Sequence, residues 1–264
     1  MLTACGMALM VVLAADDPAH EKFRDAENAI DDAVKTSVQD GEYGSAAKAV
    51  RQFIQDNKAT VPADKKEELG IYAQEATELE SWDTLSTRAK TAADLKKLIR
   101  ALDRPTSREL RLRSALGPRA DALVERIVAA DPAIKGMFAR KVKVTLNAKE
   151  WPPEAAQLLV DQAVAELKGL GVDASATAGE DEFAIVSSGC KVLKGEGYLA
   201  QNLSGCDFVA SARWLHKGNV ALGGIDLHAT TRSVVGPPAV DDRSSQAIAQ
   251  KIPESILMAW VGGR

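Results

Sequence analysis

Cysteine and histidine are scarce in this chain, three of each among 264 residues. That scarcity removes whole classes of chemistry. Cys190 and Cys206 lack a third and fourth ligand at any standard zinc spacing. His20, His216 and His228 stand in no recognisable nucleophile–base order. Phosphate loops are missing too, since neither Gly195-x-Gly197 nor Gly223-Gly224 joins a strand to a helix N-terminus. A net charge of -4 gives no electrostatic reason to expect nucleic acid. Beyond residue 15 no apolar run nears the ~20 residues that span a bilayer. The sequence assigns no catalytic residue, no cofactor and no metal.

What is present begins with Met1 to Ala15, an uncharged, almost wholly apolar run that Asp16-Asp17-Pro18 ends. It resembles the apolar core of a secretory signal, cleaved after Val12-Leu13-Ala14 or at the next bond. No Lys or Arg precedes His20. The translation start therefore lies upstream, or the free amino terminus supplies the positive charge. Leu2-Thr3-Ala4-Cys5 also resembles a bacterial lipobox, which implies lipidation at Cys5 and needs an apolar segment further upstream. An uncleaved anchor or a buried N-terminal helix is the third reading. Export places the chain in the periplasm or at the outer membrane, with the N-terminus as the point of membrane attachment if it is lipidated or retained.

In an exported chain, setting Cys5 aside leaves an even pair. Cys190 and Cys206 both follow Ser-Gly, and a disulfide between them is the simplest reading. Closing the 190–206 loop would contribute about 3 kcal/mol. Two free buried thiols are the alternative. Charge is uneven: residues 16–99 hold 18 acidic and 12 basic side chains, whereas residues 100–135 hold 8 basic and 5 acidic. Arg100, Arg104, Arg108, Arg111, Arg113, Arg119 and Arg126 form either a patch for an acidic partner or a solvated helix face. The second reading pairs them with Asp103, Glu109, Asp121 and Glu125 at helical spacings.

Residues 18–135 read as helix throughout. Apolar stripes run through Phe23, Ile30, Val34 and Val38, then Tyr43, Ala46, Val50 and Phe53, then Tyr72, Ala76, Leu79 and Trp82. Leu95, Leu98, Ile99 and Leu102 make a fourth, and Leu123, Val124, Ile127 and Val128 a later one. Pro62 fits a helix first turn, Thr106-x-x-Glu109 reads as a capping box, and Gly117-Pro118 as a break. One-sided stripes imply a bundle or hairpin array. Gly41-x-Tyr43-x-x-Ala46 resembles the opening of a tetratricopeptide repeat, but no second copy follows, so it is read as two amphipathic helices.

After Gly136 the period changes. Val142, Val144 and Leu146 alternate as a strand, Pro153 opens a helix through Leu167, and short strands cover 172–177 and 183–187 around a turn at Glu180-Asp181-Glu182. A hairpin over 207–231 turns at Lys217-Gly218, which sets Phe208 opposite Leu227, Ala210 opposite Ile225, Ala212 opposite Gly223 and Trp214 opposite Ala221. Mid-strand Gly223-Gly224 marks a bulge or sharp bend. Ile248, Ile252, Ile256 and Trp260 form a closing stripe that Pro253 kinks or splits into two helices. The predicted fold class is α+β: a signal-like segment at 1–15, a helical domain at 18–135, and a sandwich at 138–262 whose antiparallel-rich sheet packs on two helices.

The order β-α-β-β-β-β-α, the Leu167-x-x-Leu170-Gly171-Val172 turn and the long hairpin are similar to the small periplasmic domains of the TolB N-terminal, CsgG and FlgT kind. That resemblance implies a non-catalytic binding or scaffold role among envelope proteins. The alternative is an enzyme with a site between the domains, converging on Arg213, Asp226 and His228. His228 falls opposite Asp207 in the expected register and beside Cys206, a thiol-site geometry that reads more simply as a polar pair on an outer sheet face.

If export is right, fractionation and intact-mass analysis of the native protein will find an envelope species beginning near Asp16. An intact Met1 in the cytoplasmic fraction would contradict it.

Overall fold

The computed structural model describes residues 18–113, 115–148, 151–194, 204–233 and 242–262. The signal-like segment and Cys5 lie outside the described residues, as do the side chains of Cys190, Cys206 and Asp207. The fold is α+β, with helices first and a mixed five-stranded sheet in the C-terminal half.

The helical half follows the apolar stripes. Helix α1 (Pro18–Asp40) buries Phe23, Ile30, Val34 and Val38. It ends in paired turns, with the Glu42 amide donating to Ser37 O at 2.8 Å and the Gly41 amide to Val38 O at 3.1 Å. That termination needs a left-handed residue, and Gly41 supplies it at φ 77°. Helices α2 (Tyr43–Asn57) and α3 (Lys66–Arg88) stack beside α1 through aromatic contacts: Phe23–Phe53 at 5.9 Å, Phe53–Tyr72 at 4.8 Å and Tyr43–Trp82 at 5.5 Å. Pro62 precedes a 3-10 turn at Ala63–Lys65 rather than opening α3 itself. Thr91 caps α4 (Ala92–Asp103) by accepting from the Asp94 amide. A six-residue α5 (Arg108–Arg113) follows, then α6 (Leu116–Ala130).

Two sequence expectations fail here. Gly117-Pro118 does not break a helix but lies in the first turn of α6, where a proline amide has no helical partner to lose. The helical pattern also continues past residue 135 as α7 (Pro132–Phe138), because Asp131 caps the Ala133 amide at 2.9 Å and Pro132 presets the first turn.

The second half runs β1 (Val142–Asn147), α8 (Pro153–Gly169), β2 (Ala174–Ser175), β3 (Asp181–Lys194), β4 (Ser204–His216), β5 (Asn219–Ser233), α9 (Asp242–Ala249) and α10 (Ile252–Gly262). Sheet order is β2-β1-β3-β4-β5, with β1 parallel to β2 and β3 and the remaining pairs antiparallel. Strand β2 is only two residues long, shorter than the 172–177 reading, and β3 starts earlier and runs further than 183–187. The closing stripe is split into two helices at Gln250-Lys251, and Pro253 sits in the first turn of α10, where its missing amide costs no helical bond.

The hairpin register agrees with expectation only beside the turn, where His216 faces Asn219 and Leu215 faces Val220. Bulges on either side of Trp214 then each insert one residue into β5. Trp214 consequently faces Leu222, Ala212 faces Ile225, Ala210 faces Leu227 and Phe208 faces Ala229. Two single shifts restore the parity, so Phe208, Ala210, Ala212, Trp214, Ile225 and Leu227 still share the buried face, now with Leu222 in place of exposed Ala221. Gly224, at φ 66°, accommodates the second bulge.

Helices α8, α9 and α10 cover that face, and the buried apolar side chains from Phe23 to Val261 form one connected cluster. Trp214 is central to it, stacked on Phe138 of α7 at 5.3 Å and edge-on to Phe183 of β3 at 6.0 Å. No described helix is long and apolar enough to cross a membrane.

Candidate functional site

An open concavity lies on the helical half. Small residues, Ala73 on α3 and Ala101 on α4, leave a groove of about 740 Å³ between the two helices, floored by Trp82 and closed at one end by Thr106. Arg51 of α2 stands at its edge. Its guanidinium donates to both Glu80 carboxylate oxygens at 3.1 Å and to Thr77 at 3.2 Å. Beyond Arg51 a second hollow of about 540 Å³ continues between α2 and α3, over Gly44 and Ala47. Arg104, on the opposite wall, also lines a third cavity of about 630 Å³ between α4, β5 and α10.

Thr106, which lines the groove, leads into α5, a helix too short to persist alone. Two α3 glutamates one turn apart fasten its ends. Glu78 accepts from the Thr106 amide at 2.8 Å, the Thr106 hydroxyl at 2.9 Å and the Ser107 amide at 2.7 Å. The expected Thr106–Glu109 capping box is therefore replaced: Ser107 is the residue before the helix, and the carboxylate comes from 28 positions away. At the other end Arg113 donates to Glu75 Oε1 and, at 2.7 Å, to Asp31 Oδ1, which also accepts from the Tyr72 hydroxyl at 3.2 Å. Glu75 is fully buried and its Oε2 has no hydrogen-bond partner among the described residues. Burial is the chief cause that raises its pKa to about 7. The Arg113 charge opposes that rise, and Asp31 and Glu109 add to it.

The arginine-rich segment is divided: Arg104, Arg108 and Arg111 are exposed, with Arg104 3.4 Å from Asp103, whereas others reach distant helix ends. Arg119 donates to Asp40 O at 2.9 Å, Arg126 to Ser86 O at 3.0 Å and Ala89 O at 2.9 Å, and Arg100 to Val261 O at 3.2 Å. These guanidiniums meet the C-terminal ends of α1, α3 and α10, where unpaired carbonyls and the helix dipole favour a cation. Arg113 is tied to α1 and α3 by ion pairs that span the sequence rather than one helix turn.

A second polar centre sits at the start of β3. Asp181, expected in a turn, is a buried strand residue. It accepts from Arg140 Nε at 2.8 Å and Trp214 Nε1 at 2.9 Å, and its Oδ1 lies 2.6 Å from His216 Nδ1. Burial pushes the carboxyl up, but the bonds from His216, Arg140 and Trp214 outweigh it and hold the carboxyl below the usual range. The pair orients His216, which is about a third exposed, through a buried carboxylate. The sequence carried a trace of this centre, since Trp214 and His216 are two apart on β4 and so share a sheet face.

The other candidate residues are dispersed. His228 faces Val209, and Asp207 faces Thr230, because the bulges move them out of opposition. The cavity between the halves takes in Asp226, while Arg213 and His228 are not among its described lining residues. Cys190 faces Phe208 and Cys206 faces Val192, two positions off direct opposition. His20 is 3.0 Å from Asp64. Trp151, Trp214 and Trp260 are buried. Among the described residues no cluster of three His, Cys, Asp or Glu could hold a metal ion.

In comparisons with known proteins, no family model and no curated protein matches the chain.

Asp181→Asn should cost about 3 kcal/mol or more in urea unfolding, because it leaves Arg140 beside a neutral partner. With its pKa depressed, Asp181 contributes stability above the ordinary carboxylate range that is lost as pH falls through its folded pKa, so the variant's deficit should shrink in acid. Asp64→Asn, which breaks the exposed His20 pair, should leave the midpoint in place. Equal effects at the two sites would refute the structural weight given to Asp181.

Proposed function

We propose that the chain is an exported cell-envelope protein that works as a binding or scaffold module without catalysis, and that the α3–α4 groove is its contact surface. The groove carries this reading. It is open, its lining includes the partly exposed Ala73 and Ala101 over the buried Trp82, and it shares Arg51 with the neighbouring hollow. Together these give room for an extended polypeptide segment rather than a compact metabolite. The Arg51–Glu80 pair at the junction offers both signs of charge to a passing backbone or side chain. The envelope setting, with other envelope proteins as partners, and kinship with the small periplasmic domains of the TolB N-terminal, CsgG and FlgT kind are part of the proposal.

A second reading, an enzyme with its site between the two halves, draws on the third cavity, where Asp226 and Glu254 face Arg100 and Arg104.

A photo-crosslinking residue at Ala101 in the full chain, expressed in its own cells, should give a discrete adduct with an envelope protein. Filling the groove by Ala73→Trp should abolish that adduct, and a probe at exposed Val186 on the outer sheet face should not form it. No adduct at Ala101, or one indifferent to the filled groove, would overturn the groove reading.

A further inference from the structure

Charge counting around α5 leads to a regulatory device. One guanidinium, Arg113, meets two carboxyl groups, Asp31 of α1 and Glu75 of α3. Glu109 of α5 is the further acid that faces them, and Tyr72, one turn before Glu75 on α3, bonds Asp31. With both carboxyls ionised the pocket is net negative, and among the described residues Glu75 Oε2 has no donor. With a proton on Glu75, Arg113 and Asp31 form a neutral pair and no surplus charge is buried. The closed arrangement therefore favours the protonated acid.

We infer that the docking of α5 is proton-gated: a proton taken from solvent onto the Glu75 carboxylate locks α5 against α3, and its loss loosens α5 and with it the Thr106 that leads into the helix. This deepens the groove reading and rests on it for its consequence, since Thr106 and Glu78 both line the groove. The sign follows from linkage. A carboxyl whose pKa is raised from 4.5 to about 7 when closed makes the closed state most stable in acid, and that stability is lost as pH rises through about 7. Glu27 of α1, raised in the same direction by burial and by its bond to Glu68, lies along the same α1–α3 seam.

The test is amide hydrogen exchange of the full chain at pH 5.5 and pH 8, corrected for intrinsic rates, read at residues 107–113. Protection should be roughly tenfold or more higher at pH 5.5. Glu75→Gln, which keeps the neutral shape, should hold the high protection at both pH values, while Glu27→Gln should retain the pH dependence of α5. Carbon-13 titration of the Glu75 carboxyl should show a midpoint near 7. Protection independent of pH in the unmodified chain, an unchanged pH response in Glu75→Gln, or a Glu75 ionised throughout this range would each overturn the inference. The readout needs no partner, so failure of the crosslinking experiment and failure of the gate are separable.

Discussion

The burial of α10 on all but one narrow stripe is the constraint on which the rest of the molecule depends. Eight of its eleven residues are buried, and the other three, Glu254, Met258 and Gly262, fall on one narrow stripe that lines the third cavity. A helix apolar all round belongs in a core, and here the core is shared. One side lies on β5, where Ser255 Oγ donates to Asp226 O at 2.6 Å. Other sides meet α8, α6 and α4. Trp260 donates to Asp131 at 2.8 Å and lies under the Lys96 ammonium at 4.9 Å, so the last turn is seated in the helical half. Each fully buried Ile, Leu or Val contributes about 1.5–3 kcal/mol. The α7–β1 junction adds a second tie, with Phe138 on Trp214 and Arg140 on Asp181. The two halves are thus parts of one hydrophobic cluster.

Electrostatics follows the same plan. Part of the basic excess of residues 100–135 is drawn inward: Arg113 meets Asp31 and Glu75 of the first helices, while Arg104 stays exposed beside Asp103. Arginines that read as a patch are spent on helix ends and buried acids: Arg119 on α1, Arg126 on α3, Arg100 on α10, Arg113 on Asp31 and Glu75. Glu78, which holds the residues leading into α5, also lines the groove. The Ser255 bond and the bulge at Gly224 also occupy the middle of β5, which keeps that edge strand from offering a clean ladder to another chain.

Much of the fold is legible from periodicity. The stripes of α1 to α4, the period change after Gly136, the split before Pro253 and the Lys217-Gly218 turn depend on local rules of helix and strand geometry. The failures share another cause. The register shift needs two bulges, and only one had a signal, at Gly223-Gly224. The cap on α5 comes from Glu78, far away in sequence, so the local Thr106–Glu109 pattern misled. Asp181 looked like a turn because acidic residues cluster there, and its burial is explained only when Arg140, Trp214 and His216 converge. The groove was illegible because it is defined by what Ala73 and Ala101 leave empty.

The claim that α10 makes one folding unit of two halves is tested most directly by urea unfolding followed residue by residue in α2 and in β4, for the unmodified chain and for Ile256→Ala. Removing that fully buried side chain costs about 2–5 kcal/mol. The account predicts a single midpoint at both probes in each protein, with both falling together in the variant. A helical half that keeps its midpoint while the sheet loses its own would contradict it.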